Sequence, residues 1–197
     1  MLNQNTLDKI QELKLFGLLE AWNNTLVNNE HSNLTITEVV GLLIDHEFIY
    51  RKNKKQMRLL KYANLRYSNA CLENMDKNNI IREQLNQLRD TLWLHNKQNV
   101  IICGPTGVGK SYLACAIANN VCRNGFSAKY YKLSKLLEIL KIANADGSYL
   151  SFSQKTAKIN CLIIDDWGVE PIPSNRCNNI LDLVDDLYHN GDRKSVV

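Results

Sequence analysis

Glycine and proline are scarce in this 197-residue chain, at 9 and 3. That scarcity excludes a linker-rich or collagen-like chain and argues against an all-β protein, whose tight turns draw on both residues. No run approaches the ~18 apolar residues of a membrane span. The N-terminus, MLNQNTLDKIQELK, lacks the basic-then-apolar layout of a secretory leader. These absences predict a soluble, cytoplasmic protein without a membrane partner. The six cysteines, Cys71, Cys103, Cys115, Cys122, Cys161 and Cys177, include no CxxC pair, and no short histidine pair accompanies them. Zinc and a disulfide framework are therefore not expected. Cys103 and Cys161 lie in apolar runs and are expected as reduced core thiols.

The net charge is only +4, but its placement is uneven. Residues 1–50 carry 2 basic and 7 acidic groups, whereas residues 51–66 carry 7 basic and none acidic. This second segment reads RKNKKQMRLLKYANLR. At about 100° per residue, Arg51, Lys54, Lys55, Arg58, Lys61 and Arg66 fall within roughly 140° of a helix's circumference. Tyr62 lies among them and Lys52 falls outside. Such a stripe can track a phosphate backbone without reading bases. A solvated helix face, or one paired with the acidic groups of residues 1–50, accounts for the same pattern.

The length leaves room for one full domain and a small helical one. The first third has helical spacing. Thr6 is placed to cap a helix carrying Leu7, Ile10, Leu13, Phe16, Leu18, Leu19 and Trp22, with a break over residues 23–33. Thr35-Ile36-Thr37-Glu38 is a capping-box pattern. The long helix that follows is expected to reach Arg66, burying Val39, Val40, Leu43, Phe48 and Leu60. A turn within residues 64–79 and a helix over residues 80–89 come next. From residue 99 short apolar runs alternate with helical patterns: strands at residues 99–103, 127–133 and 159–164, helices at residues 110–123, 134–143, 150–157 and 175–188, and a strand beginning at Ser195. Alternation of this kind means a parallel sheet flanked by helices, an α/β fold.

Residues 104–111 read GPTGVGKS, which fits G-x-x-x-x-G-K-[ST] at every fixed position. Gly104, Gly107 and Gly109 allow the backbone to turn its N–H groups inward around a phosphate. The helix that begins at Lys110 aims its positive end at the same place. Lys110 can reach the β- and γ-phosphates, and Ser111 can offer its hydroxyl to Mg²⁺. A chance match on a glycine-rich turn is the alternative, and the apolar run before the loop and the helix after it argue against that. Residues 161–166 read CLIIDD, an apolar strand ending in two carboxylates, the form of a Walker B strand. Asp165 suits the Mg²⁺ shell. Asp166 stands where many such ATPases carry a Glu that polarises the attacking water, and it is one methylene shorter. Two solvated aspartates at a strand end are the alternative.

The stretches GPTGVGKSYLACAIAN, ADGSY and CLIIDDWG, with LKLFGLLEAW, GLLIDHEFIYRKNKKQMRLLKYANLR and TLWLHNKQNVIICG before them, resemble the IstB-like ATPases. These are helper ATPases of insertion-sequence transposases and relatives of the DnaC helicase loaders. The resemblance covers nearly the whole chain. It implies a P-loop NTPase of AAA+ type behind a small all-helical domain, binding ATP and Mg²⁺, assembling on double-stranded DNA as a homo-oligomer, and guiding a transposase to its target. It implies nucleotide contacts by Gly104, Pro105, Thr106, Gly107, Val108, Gly109, Lys110, Ser111 and Tyr112. The metal falls to Ser111 and Asp165, and hydrolysis to Lys110 and Asp166. Trp93 and its neighbours become candidates for the adenine, or else Trp93 is a core aromatic. The implied domains are a DNA- or partner-binding one at residues 1–67, a helical linker at residues 68–98 and an ATPase core at residues 99–197. A helicase loader with a replicative helicase as partner, and a non-catalytic DNA-binding remnant, are the competing readings. A nucleotide kinase fits less well, because a strand-helix unit separates the two motifs.

The family pattern continues past the strand that begins at Ser195, through a polar sensor, an arginine finger, a further strand and a lid. Arg176, Arg193 and Lys194 do not stand where that finger does. By analogy the incomplete strand lies between the phosphate-loop strand and the carboxylate strand, so two ladders of backbone groups would lose their partner. These 197 residues alone are expected to be a C-terminally incomplete core.

Overall fold

The computed structural model describes residues 4–27, 34–75, 82–169, 171–172, 174–189 and 195–196. The chain forms two compact units, Met1–Met57 and Arg58–Val197.

The first unit contains α1 (Gln4–Glu12), α2 (Phe16–Val27) and the greater part of α3 (Ile36–Ala63). The single helix expected through Trp22 is two helices, and α1 begins before Thr6. Lys14 takes φ 57°, and the N–H groups of Lys14 and Leu15 donate to the carbonyls of Gln11 (2.9 Å) and Ile10 (3.0 Å). This is a Schellman ending with lysine in the position usually held by glycine. The apolar spacing runs on across the turn, so periodicity does not reveal it. Residues 28–33 of the expected break lie outside the described residues.

The capping box ahead of α3 is present. The Thr35 N–H donates to Glu38 Oε2 at 2.7 Å, and the Glu38 N–H donates to Thr35 Oγ1 at 3.4 Å. Leu43 is buried, but Val40 and Phe48 are exposed, Phe48 at 68%. Within this unit α3 turns a narrow face to α2. A β-carbon on Gly17 would stand 2.5 Å from Tyr50 Cβ and 2.9 Å from the His46 carbonyl, so glycine lets the two backbones approach closely. Glu47 is also on that face, and its carboxylate accepts the N–H of Leu18 at 3.0 Å. It thereby satisfies an orphan donor at the start of α2.

The second unit starts within α3, which ends at Ala63 rather than Arg66 because Asn64 turns the chain at φ 50°. It continues through α4 (Arg82–Arg89), α5 (Leu92–His95), α6 (Lys110–Arg123), β1 (Ala128–Lys132), α7 (Leu133–Asp146), α8 (Tyr149–Ala157), β2 (Cys161–Asp165), α9 (Ser174–His189) and β3 (Ser195–Val196). The sheet is parallel in the order β1-β2-β3, with Ala128 opposite Cys161, Lys132 opposite Asp165 and Leu162 opposite Val196. Side chains alternate across it. Cys161 and Ile163 pack with α6, while Leu162 and Ile164 pack with α7 and α9. Helices on both faces of a small parallel sheet make this a mixed α/β unit.

One expectation needs correction here. Residues 99–103 form no strand among the described residues, and Ile101 is 85% exposed. A strand needs a ladder partner. The described part of β3 pairs along only two residues of β2, and no described strand flanks residues 99–103. Cys103 is accordingly exposed, whereas Cys161 is buried as expected. Residues 68–98, read as a linker, contribute Ala70, Leu72, Leu85 and Trp93 to the α6-side core. Asn119 and Asn120 of α6 hold them by donating to the carbonyls of Ser68 and Arg89, each at 3.0 Å. Residues 76–81, which include the start of the helix expected at residue 80, lie outside the described residues.

Candidate nucleotide site

The loop of residues 104–109 enters α6 through Gly109, which caps the helix with a left-handed backbone (φ 94°), two residues after Gly107 at φ 87°. A side chain at either position would strain the turn, so these two glycines set its course. The first amides of α6, from Lys110 and Ser111 onward, have no carbonyl one turn back to bond and face the loop. Pro105, Thr106 and Val108 are exposed. The Lys110 ammonium folds back over the loop, donating to the carbonyls of Gly104 and Pro105 at 2.8 Å each. Tyr112, two residues on, packs its ring 5.8 Å from that of Tyr67 and against the core.

The parallel register brings the end of β2 to the same place. Asp165 is half-buried and densely hydrogen-bonded. The Tyr130 hydroxyl donates to its Oδ2 at 2.6 Å, and the N–H of Asp166 donates to its Oδ1 at 2.9 Å. The Ser111 hydroxyl and the Arg66 guanidinium both favour the charged form of the same carboxylate. Burial pushes the Asp165 pKa up, but Tyr130, Ser111, the Asp166 amide and Arg66 outweigh it and hold the group below the ordinary carboxylate range. Burial and the adjoining carboxylate raise the Tyr130 phenol. Asp166 sits in a left-handed turn at φ 61°, and its carboxylate pairs with Lys132 of β1 at 3.0 Å.

The motif residues thus converge: Lys110 on the loop, and Ser111 acting on the Asp165 carboxylate. A hydroxyl and a carboxylate, beside a glycine turn with a lysine folded over it, form a donor set that fits a hard divalent cation and a phosphate. Trp93 is the core aromatic, 5% exposed, with its indole N–H donating to the Leu88 carbonyl at 3.4 Å. Three residues of the cluster carry no local signature in the sequence: Tyr130, Lys132, and Arg66 in this role. The register of β1 against β2, Tyr130 opposite Ile163 and Lys132 opposite Asp165, could have found the first two.

The basic stripe is used unevenly. Arg51 pairs with Glu47 at 2.5 Å, and Lys54 stands 5.3 Å from the Phe16 ring centroid and 5.7 Å from that of Tyr50. Lys55, Arg58 and Lys61 are exposed on α3. Arg66 lies beyond the helix end, 5.4 Å from the Tyr67 ring centroid. Beyond β2, the side chain of Arg176 and all of Arg193 and Lys194 lie outside the described residues. No described helix is long and apolar enough to cross a membrane.

Residues 8–197 match the family described as IstB-like ATP binding protein. An insertion sequence IS1162 ATP-binding protein of Pseudomonas fluorescens is 36% identical over 189 residues, covering 94% of this chain and 82% of that protein. Two insertion sequence ATP-binding proteins of Sinorhizobium fredii, y4pL and y4uH, are each 33% identical across the whole chain, which spans 80% and 79% of their lengths.

Proposed function

Since the chain belongs to the IstB-like ATP-binding protein family, we propose that it binds ATP with Mg²⁺ as a P-loop protein of AAA+ type, binds double-stranded DNA, and assists a transposase. The observation that carries the nucleotide part is the convergence of Lys110, Ser111 and Asp165 at the N-terminus of α6. In this reading the amides of residues 107–111 and the Lys110 ammonium take the phosphates, exchanging the Gly104 and Pro105 carbonyls for phosphate oxygens. Ser111 and Asp165 would hold the metal, which would supply positive charge to the phosphates. Asp166, fixed by Lys132, is the carboxylate placed to accept a proton from an attacking water.

The insertion-sequence relatives favour transposition over a helicase-loading role for this reading. The DNA part is supported by the exposed Lys55, Arg58 and Lys61 of α3. Arg51 and Lys54 would first have to leave Glu47 and the aromatic rings, and Arg66 would have to leave the Tyr67 ring. Assembly as a homo-oligomer is part of the same proposal.

Binding of a fluorescent ATP analogue tests the nucleotide part, and retardation of a duplex with and without ATP tests the DNA part. Lys110→Ala should weaken analogue binding at least tenfold, through loss of charge-assisted bonds to phosphate. Duplex affinity should rise with ATP in the native chain and not in the variant. If duplex binding ignores both ATP and this substitution, the non-catalytic DNA-binding reading replaces the ATPase one.

A further inference from the structure

We propose that the ring of Tyr62, at the end of α3, is a stacking platform for an unpaired base, so that this corner of the molecule binds single-stranded DNA. This rests on the DNA-binding part of the reading above.

Tyr62 stands in the segment of residues 51–66, which has 7 basic residues and none acidic. It is 47% exposed. Arg58, one helical turn earlier and about 6 Å back along the axis, is exposed as well, and so is Lys61. Neither cation has an ion-pair partner among the described residues. A duplex offers such a helix its phosphates and groove edges, because the faces of its bases are stacked inside. An unpaired base has an open π-face. An aromatic ring among cations can take that face while the cations meet the adjoining phosphates.

The ring is also held in place. Tyr62 is the last residue but one of α3, where carbonyls lack an intrahelical partner. Lys129 of β1 fills that gap by donating to the Tyr62 carbonyl at 2.9 Å. Its ammonium stands 4.8 Å from the centroid of the Tyr62 ring and 5.8 Å from that of Tyr131. The bond to the backbone docks α3 on β1 whatever side chain residue 62 carries, so docking does not call for a tyrosine. The cation beside the ring restricts its motion, and a ring already restrained loses little freedom when a base stacks on it. Tyr67, across the turn made by Asn64, already has the Arg66 guanidinium and the Tyr112 ring as partners. Tyr62 is therefore the ring on offer.

In the full chain, the affinities of a fluorescein-labelled oligothymidylate and of a duplex of equal length are measured over a range of salt. Tyr62→Ala should weaken oligothymidylate binding about tenfold, within the value of one stacked base, and duplex binding by less than about twofold. Tyr62→Phe should keep the native single-strand affinity, because the π-face remains. Stacking releases no counterions, so Tyr62→Ala should leave the salt slope unchanged, whereas Lys61→Ala should reduce it by about 0.7 on the single strand. At saturating protein, 2-aminopurine within a single strand should be quenched by the native chain and by Tyr62→Phe, and not by Tyr62→Ala. Equal loss on both probes, no loss on the single strand, or quenching that survives Tyr62→Ala would overturn the proposal and leave duplex binding standing. A native chain that binds the duplex and not the single strand would do the same. A native chain that binds neither probe would overturn the DNA-binding reading and this proposal together.

Discussion

The two units of this chain are held together by different means. In Arg58–Val197 the sheet is sandwiched, and Ile117, Leu136, Leu162, Ile163 and Leu183 are buried almost completely. In Met1–Met57 only Ile10, Ala21 and Leu43 are buried apolar residues among those described, while Ile36, Ile44 and Phe48 are exposed. That unit relies on a close helix approach at Gly17 and on one carboxylate, Glu47. A sheet faced on both sides rewards each apolar residue with burial. A helix pair rewards only a narrow stripe, so apolar residues outside it stay in water.

The largest effect should come from the sandwiched unit. Leu136→Ala removes a fully buried side chain from the α7 face and should cost about 2–5 kcal/mol. Denaturant unfolding should show the loss in the second unit's transition, and hydrogen exchange in the first unit should be little altered. Gly17→Ala aims at the helix approach. The added methyl meets backbone and a β-carbon, which cannot swing away, so a cost of about 1–3 kcal/mol is expected, read as faster exchange in α2 without loss in β2. A Gly17→Ala chain with native exchange in α2 would erase the proposed difference between the units.

Glu47→Gln is the finer probe of the same unit. Burial opposes the Glu47 charge, but Arg51 and the amides of Leu18 and Gly17 outweigh it and lower the pKa from 4.5. The sign follows. The carboxylate's contribution is fully present above its unfolded pKa and is lost as pH falls through the lower folded value. Glu47→Gln should therefore cost about 1 kcal/mol at neutral pH, and the gap from the native chain should shrink below about pH 4. A pH-independent gap would assign the effect to packing alone.

How much was legible in the sequence divides along the same line. The loop of residues 104–111, α6 and β2 with its terminal carboxylates were readable because each is local: glycines at fixed spacing, a helical period and an apolar run. The break at Lys14 was not, since a lysine in a left-handed turn leaves no compositional mark. Val40 and Phe48 have helical spacing, yet spacing does not say how wide a stripe will be covered. Residues 99–103 read as a strand because they are apolar, but strandness depends on a neighbour supplied from elsewhere in the chain. Arg66 groups with the basic helix in the sequence because its angle extrapolates a helix that Asn64 ends. Tyr130 and Lys132 join the site only through the β1-β2 register, a long-range property that no window of sequence contains.

The most direct measurement is the Mg²⁺ dependence of nucleotide affinity in an Asp165→Asn chain. One site built from the glycine loop, Ser111 and Asp165 predicts that affinity in EDTA stays near native while the gain on adding Mg²⁺ is largely lost. A native gain in the Asp165→Asn chain would contradict it, because the two motifs would then not share a metal.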